Sequence, residues 1–209
     1  MPSFLILDDH AIVRKGIIDT LARAYPDHHI REAADAQSAL ASLREETPDM
    51  VILDISIPGT SGLEFLKAAR QLRPRLKVLV FSMHSEDEYA IRALKAGASG
   101  YLVKGASPED LLTAVGTVLD GATFASPQIT ARLVAEVRND PGRPLHESLS
   151  NREFEILRML ARGKSVREIT WELALSENTV RTYRARVLAK MDMKTNSELI
   201  RYALDHNLV

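Results

Sequence analysis

The chain has 209 residues, 45% of them hydrophobic and 26% charged, with a formal net charge of −1. This composition suits one large globular domain or two modest ones. No apolar run approaches the roughly 20 residues that span a bilayer, and the N-terminus lacks the basic region and cleavage site of a signal peptide. The absence of cysteine excludes disulfides and thiolate-bound zinc or iron–sulfur centres. A cytoplasmic setting with no membrane partner is therefore the expectation.

The charge is unevenly spread. Residues 1–125 carry a net −4 and residues 150–209 a net +3, the pattern of two modules with different partners. In chain order, the first 120 residues alternate short Val/Ile/Leu-rich runs with helical patterns. The runs are Phe4–Leu7, Ile30–Ala34, Met50–Leu53, Val78–Phe81 and Tyr101–Val103. They do not alternate cleanly between apolar and polar, as strands buried on both faces do not. Helices are expected near 11–24, 36–46, 62–73, 86–96 and 107–120. Ser85-Glu-Asp-Glu88 reads as a capping box, and Ser107-Pro108 as an N-cap followed by proline in the first turn. Ser38 is a weaker cap candidate within the second helix. Five βα units with right-handed crossovers lead to an α/β fold with a doubly wound, five-stranded parallel sheet.

Residues 121–149 break this rhythm. Gly121 opens the stretch, and the breaker cluster Asn139-Asp-Pro-Gly-Arg-Pro144 follows. It reads as a partly helical linker whose helix, about 127–138, is capped by Ser126. From 150 onward the pattern is all helical. Ser150-Asn-Arg-Glu153 and Ser165-Val-Arg-Glu168 are capping boxes, with Gly163 as a helix stop between them. Ser176 precedes a third helix, and Thr195 or Asn196 a fourth. The expected organisation is 1–121, a linker 122–147, and a four-helix module 148–209.

In an open parallel sheet, sites form beyond the carboxyl ends of the strands. Asp8 and Asp9 follow the first strand, Asp54 the third, Ser82 the fourth and Lys104 the fifth. If strands 1 and 3 are neighbours, these polar residues meet at one edge. Three carboxylates suit Mg²⁺, a hard cation with oxygen ligands. Asp54 then stands as a carboxylate nucleophile toward phosphorus, with Lys104 and the metal stabilising phosphoryl oxygens and Ser82 hydrogen-bonding the product. Taken singly, each residue has a plainer role. Asp9 would cap the next helix, Lys104 would be a solvated lysine, and Ser82 would be loop chemistry. Those roles leave the joint placement unexplained.

Residues 1–120 resemble the receiver domain of two-component response regulators, through Asp8-Asp9, "VILDISIPGTSG" and "VLVFSMHSEDEYAIRALKAGASGYLVK", which ends at Lys104. The resemblance implies a flavodoxin-like receiver with Asp54 as phosphoacceptor. It makes Asp9, Asp54 and the Ser56 carbonyl Mg²⁺ ligands, with Asp8 acting through a metal-bound water. Ser82 and Tyr101 match a switch pair, Tyr101 turning inward on phosphorylation, and Lys104 matches a phosphate-binding lysine. Ser56 and His84 stand where the family varies, which leaves phosphate lifetime open.

In the rear module, Val180, Tyr183, Val187, Leu188 and Met191 form an apolar stripe at helical spacing. Arg181, Arg184, Arg186 and Lys190 lie off it, as a major-groove helix requires; a solubilising charged face is the plainer reading. The helix at about 166–174 and the short turn at Leu175-Ser176 complete a helix-turn-helix. Residues 149–203 resemble the LuxR-type DNA-binding domain, notably at Arg152-Glu153, Leu157, Gly163, Glu168-Ile169, Thr179-Val180 and Lys190. Together with the receiver, this resembles the NarL/FixJ family. Thr170, Tyr183 and Ala185 depart from its common residues. By position, Arg181 and Thr182 are candidates for base edges. Arg184, Arg186, Lys190 and Lys194 are candidates for phosphates, and Ser165 and Thr179 for phosphates through their hydroxyls.

The resemblance implies a transcription regulator of double-stranded DNA, controlled by a sensor histidine kinase. Phosphorylation would bias the face around the fourth helix, fifth strand and fifth helix, release the DNA-binding domain and favour a homodimer. The final helix, with Leu199, Ile200 and Ala203, would form the dimer face. Two alternatives compete. One is a regulator that binds DNA whatever its phosphorylation state. The other is an aspartyl-phosphate phosphatase, disfavoured because Ser56 stands where its proton-donating Asp would be. Phosphoryl chemistry confined to the protein's own side chain does not make it an enzyme.

Overall fold

The computed structural model describes residues 1–83, 88–127, 129–131 and 144–209. It divides into two compact units, Met1–Val137 and Arg138–Val209.

The first unit runs β1 (Ser3–Leu7), α1 (Ala11–Ala24), β2 (His29–Ala33), α2 (Ala36–Glu45), β3 (Met50–Leu53), α3 (Gly62–Leu72), β4 (Lys77–Ser82), α4 (Glu88–Lys95), β5 (Gly100–Val103) and α5 (Pro108–Leu119). All pairings are parallel and the strand order is β2-β1-β3-β4-β5. β1 and β3 are thus neighbours. β3 is buried along its whole length, as expected of a central strand covered on both faces. Phe4, Ile6, Met50, Ile52, Leu79 and Leu102 form one core layer with Ile17 and Leu21 of α1 and Leu111, Val115 and Val118 of α5. α2 and α3 pack together, as do α1 and α5.

The Ser107 cap of α5 is present as a full capping box with Asp110, and Pro108 opens the helix. Ser38 does not cap α2. Asp35 does, accepting from the Ser38 N–H at 2.8 Å. Ser38 instead donates its hydroxyl back to the Asp35 carbonyl. A carboxylate reaching forward three residues supplies the acceptor that the first helical N–H groups lack, and its turn ends β2 at Ala33, a residue early. Ser126 accepts from the Ile129 N–H, as the linker helix requires. The Ser85 capping box, His84 and linker-helix residues 132–138 lie outside the described residues.

The second unit comprises a 3₁₀ turn (Leu145–Ser148), α6 (Asn151–Ala161), α7 (Val166–Leu173), α8 (Glu177–Lys190) and α9 (Asn196–Asp205). Capping boxes at Ser150 and Ser165 start α6 and α7, Ser176 caps α8 and Thr195 caps α9. Gly163 sits at φ +81° just past α6, a conformation open to a residue without Cβ. α6 packs on α8 and α9, and α7 packs on α8. Phe154, Ile156, Leu157, Leu160, Ala161, Ile169, Leu173, Val180, Val187, Leu199 and Ala203 of these helices are buried, as is Met191 just past α8. No described helix is long and apolar enough to cross a membrane.

Candidate functional site

The register of β1 on β3 sets the acidic edge. Leu7 pairs with Leu53, so the next residues, Asp8 and Asp54, leave adjacent strands side by side. The Asp54 N–H donates to the Leu7 carbonyl at 2.8 Å, and the Asp8 N–H to Ala33 of β2 at 3.2 Å. Arg14 of α1 steadies this edge by donating to the Asp8 carbonyl at 2.7 Å and to Glu32 at 2.8 Å. Behind Asp54 the backbone is tightly wound. A Cβ on Gly62 would lie 2.5 Å from Ile55 Cα and 2.6 Å from the Asp54 carbonyl oxygen. Only glycine lets α3 begin that close to the Asp54 loop.

The Lys104 ammonium lies 2.7 Å from Asp54 Oδ2 and 2.7 Å from Asp8 Oδ2. The Lys104 N–H donates to the Ser82 carbonyl at 2.8 Å, which ties the ends of β4 and β5 together. Asp8, Asp54 and Ser82 are buried. The structure therefore brings Asp8, Asp54, Ser82 and Lys104 to one edge. The plainer role of Asp9 fails here: His10 occupies the N-cap position of α1 and makes no side-chain cap bond. Ser56 donates its N–H to Asp54 Oδ1 at 3.0 Å.

The charges do not balance. Burial, and after it the nearby Asp8 charge, push the Asp54 carboxyl above the usual carboxylate range, against the pull of Lys104 and of the Ser56 N–H. Burial draws the Lys104 ammonium down, but the Asp54 and Asp8 carboxylates outweigh it and hold the group above the ordinary lysine value. One ammonium shared by two buried acids settles fully on neither. Asp8, Asp9, His10 and Asp54 each offer one ligand atom, all within 4.8 Å of one another. Asp9 Oδ1 is buried without a hydrogen bond, although His10 Nδ1 lies 2.8 Å away. An oxygen-rich set with an unsatisfied carboxylate oxygen and surplus negative charge fits a hard divalent cation.

Tyr101 is 0% exposed.

In the second unit the stripe on α8 is buried at Val180 and Val187, with Met191 just beyond the helix also buried, and half-buried at Tyr183 and Leu188. Arg181, Thr182 and Arg186 are exposed, as is Lys194 beyond the helix. Three of the expected cations meet a partner within the module: Arg181 Nη2 lies 3.3 Å from Glu177 Oε2 on the exposed face of α8, and two are held more closely. Lys190 donates to the buried Glu153 at 2.6 Å, and Arg184 Nε to Asn196 at 2.8 Å. Burial raises the Glu153 pKa, but the bonds from Lys190 and Ser150 prevail and hold it below the usual range. The hydroxyls are engaged locally too: Ser165 with Glu168, Thr179 with Ser176, and Thr182 with the Asn178 carbonyl. The departures at Thr170 and Tyr183 are accommodated. Thr170 donates to the Val166 carbonyl, and the Arg186 guanidinium lies 5.8 Å above the Tyr183 ring. Spacing alone cannot find the Lys190–Glu153 pair, since its partners are 37 residues apart.

Residues 4–116 match the family model of the response regulator receiver domain, and residues 147–203 that of the bacterial regulatory proteins, luxR family. The chain is 35% identical over 212 residues to the oxygen regulatory protein NreC of Staphylococcus carnosus, covering 98% of each chain. It is 35% identical over 210 residues to the response regulator GacA of Pseudomonas aeruginosa, covering 100% of this chain and 98% of that one. Among solved structures, the two-component response regulator RcsB in complex with DNA aligns with a TM-score of 0.59 at 25% identity, covering 96% of each chain.

Proposed function

The chain belongs to the two-component response regulators that join a receiver domain to a LuxR-type DNA-binding domain, and from that premise we propose that phosphorylation of Asp54 by a sensor histidine kinase sets its DNA binding. The single observation that carries this reading is the Lys104 ammonium 2.7 Å from both Asp54 and Asp8. In transfer, an Asp54 carboxylate oxygen attacks the phosphorus of a phosphohistidine. The O–P bond forms, the N–P bond breaks, and the imidazole leaves with the electron pair. Lys104 supplies a fixed positive charge beside the phosphoryl oxygens, and Ser82 a hydroxyl at the end of the neighbouring strand. Asp9 and Asp54, with the Ser56 carbonyl and with Asp8 through a water, are the proposed holders of Mg²⁺. When bound, that ion adds neutralising charge on the phosphoryl oxygens. The protein acts as a regulator and not as an enzyme, because the acceptor is its own side chain.

The proposed organisation is a receiver over 1–121, a linker over 122–147 and the DNA-binding domain over 148–209. Arg181 and Thr182 are proposed to meet base edges in the major groove of double-stranded DNA. Arg186 and Lys194 are proposed to meet phosphates. Arg184, Lys190, Ser165 and Thr179 join the phosphate-facing set, each already steadied by a neighbour within the module. Leu199 and Ala203 of α9 are buried, so of the expected dimer face only the half-buried Ile200 is left to meet a partner. Release of the DNA-binding domain and homodimer formation through the remaining surface of α9 complete the proposed response, in a cytoplasmic setting. Ser82 and Tyr101 are proposed as the switch pair that responds to phosphorylation.

The test is labelling with acetyl phosphate or a phosphorylated kinase. Unmodified protein should take up phosphate at Asp54, and the Asp54→Asn variant should take up none. Persistent labelling of that variant would reject the assignment. Equal DNA affinity with and without a phosphate mimic, at one fixed salt concentration, would favour the regulator that ignores phosphorylation.

A further inference from the structure

β5 lies at the edge of the sheet, where backbone groups need cover. The cover comes from the linker. The Phe124 N–H donates to the Ser99 carbonyl at 3.0 Å, and the Tyr101 N–H donates to the Phe124 carbonyl at 3.0 Å. Gly100 and Phe124 thus form an isolated parallel bridge, in effect a sixth strand one residue long.

Three features build this contact. First, α5 ends in a left-handed turn at Gly121, φ +84°. The Gly121 N–H there bonds the Val118 carbonyl, and the Ala122 N–H bonds the Thr117 carbonyl. That paired closure is a Schellman motif, which sets the direction in which the chain leaves a helix. Second, a Cβ on Gly100 would lie 3.0 Å from both Phe124 Cβ and the Phe124 carbonyl oxygen, and 3.1 Å from Leu79 Cδ1. The bare backbone at Gly100 is what admits the linker. Third, the Phe124 side chain is half-buried against the core layer shared by α1 and α5.

The strand so clamped has four residues. Just beyond its carboxyl end stands Lys104, bound to Asp54 and Asp8. At its amino end Phe124 holds the peptide groups on either side of Gly100. We propose that Phe124 is a positioning residue that couples β5 to the linker, so that a displacement of Lys104 and Ser82 at the acidic edge reaches the chain leading to the DNA-binding domain. The coupling to DNA rests on the reading of Asp54 as phosphoacceptor, whereas the coupling within the receiver does not. A Phe124 backbone that moves with β5 needs its N–H and its carbonyl. Replacing it with proline removes the N–H while keeping an apolar residue, and Phe124→Leu keeps both groups.

Hydrogen exchange on the full chain tests the first half. Adding beryllofluoride with Mg²⁺ should slow the Tyr101 and Phe124 amides together by at least about fivefold, since the two amides open as one unit. Slowing at Tyr101 with no change at Phe124 overturns the proposal. The second half uses a duplex enriched from a random-sequence pool by the unmodified chain loaded with beryllofluoride. Phe124→Pro should label at Asp54 within about twofold of the unmodified chain, yet lose the affinity gain that beryllofluoride gives, and Phe124→Leu should retain it. A full gain in Phe124→Pro, with labelling intact, overturns the proposal. If the unmodified chain shows no gain while the two amides still slow together, phosphorylation control of DNA binding falls and the coupling inside the receiver stands.

Discussion

Both units bury charge, and they do it differently. Among the described residues of the DNA-binding unit the buried charged ones are Arg152, Glu153, Glu155 and Arg158, two of each sign. Arg152 Nη1 meets Glu155 Oε2 at 2.7 Å within α6, and Arg158 Nε donates to the Leu208 carbonyl at 2.6 Å. At the acidic edge of the receiver, two buried acids share one lysine and a third acid, Asp9, stands beside them. The contact distances are the same 2.7 Å. Only the sum of charge differs. A balanced set answers its own desolvation and holds helices in place. An unbalanced set leaves a field that a cation and a phosphoryl group can enter. Charge balance, not burial or hydrogen-bond length, separates the structural site from the proposed phosphoacceptor site.

The sharpest way to break this comparison is to remove one partner from each set. Arg152→Met should cost the DNA-binding unit about 4 kcal/mol, because the buried Glu155 carboxylate loses the guanidinium 2.7 Å from it. Mg²⁺ should not restore it. Lys104→Met should cost the receiver less, about 2 kcal/mol in the presence of a chelator. There Asp54, already pushed toward its protonated form, can take up a proton and relieve the repulsion. Millimolar Mg²⁺ should return much of that loss. Denaturant-dependent hydrogen exchange reads the two units separately, with α6 amides for one and β1 amides for the other. Equal Mg²⁺ sensitivity in the two variants would show the contrast between the sites to be false.

The acidic edge was legible in the sequence because strand ends are local features. Each of Asp8, Asp54, Ser82 and Lys104 directly follows or ends its own apolar run, and parallel topology brings those ends together. The strands and the starts of α5 to α9 were legible for the same reason, since their signals lie within four residues. The Asp35 cap was missed because Ser38 competes for the same turn, and a hydroxyl cannot be ranked against a carboxylate from spacing. Phe124 was illegible as a strand: among the described residues it bridges to Gly100 alone, and a single apolar residue carries no periodicity. Lys190 and Arg184 read as free cations because Glu153 and Asn196 reach them only after α6, α8 and α9 have packed. Local grammar gives positions, while charge pairing needs the tertiary structure.

The smallest expected effect sharpens the comparison by pH. Asp54 has a folded-state pKa above its ordinary value of 3.8, through burial first and the Asp8 charge after it. A carboxyl raised on folding binds its proton more tightly in the folded state, so its contribution to stability is greatest below the ordinary value and is lost as pH rises through the folded-state pKa. Asp54→Asn removes that loss. In a chelator the two proteins should melt together under strongly acidic conditions, and the Asn variant should draw ahead as pH rises into the neutral range. The carboxyls held low by hydrogen bonds at Asp35, Asp49 and Glu153 change stability in the opposite sense. They are common to both proteins and cancel in the difference. Lys104, raised, loses its proton only in the alkaline range and does not intrude. Mg²⁺ should narrow the gap, since a cation beside Asp54 favours the carboxylate that the Asn variant lacks. An Asn variant less stable than the unmodified protein at neutral pH in chelator would mean that Lys104 more than offsets the burial of Asp54. The acidic edge would then be as closed as the Arg152–Glu155 pair.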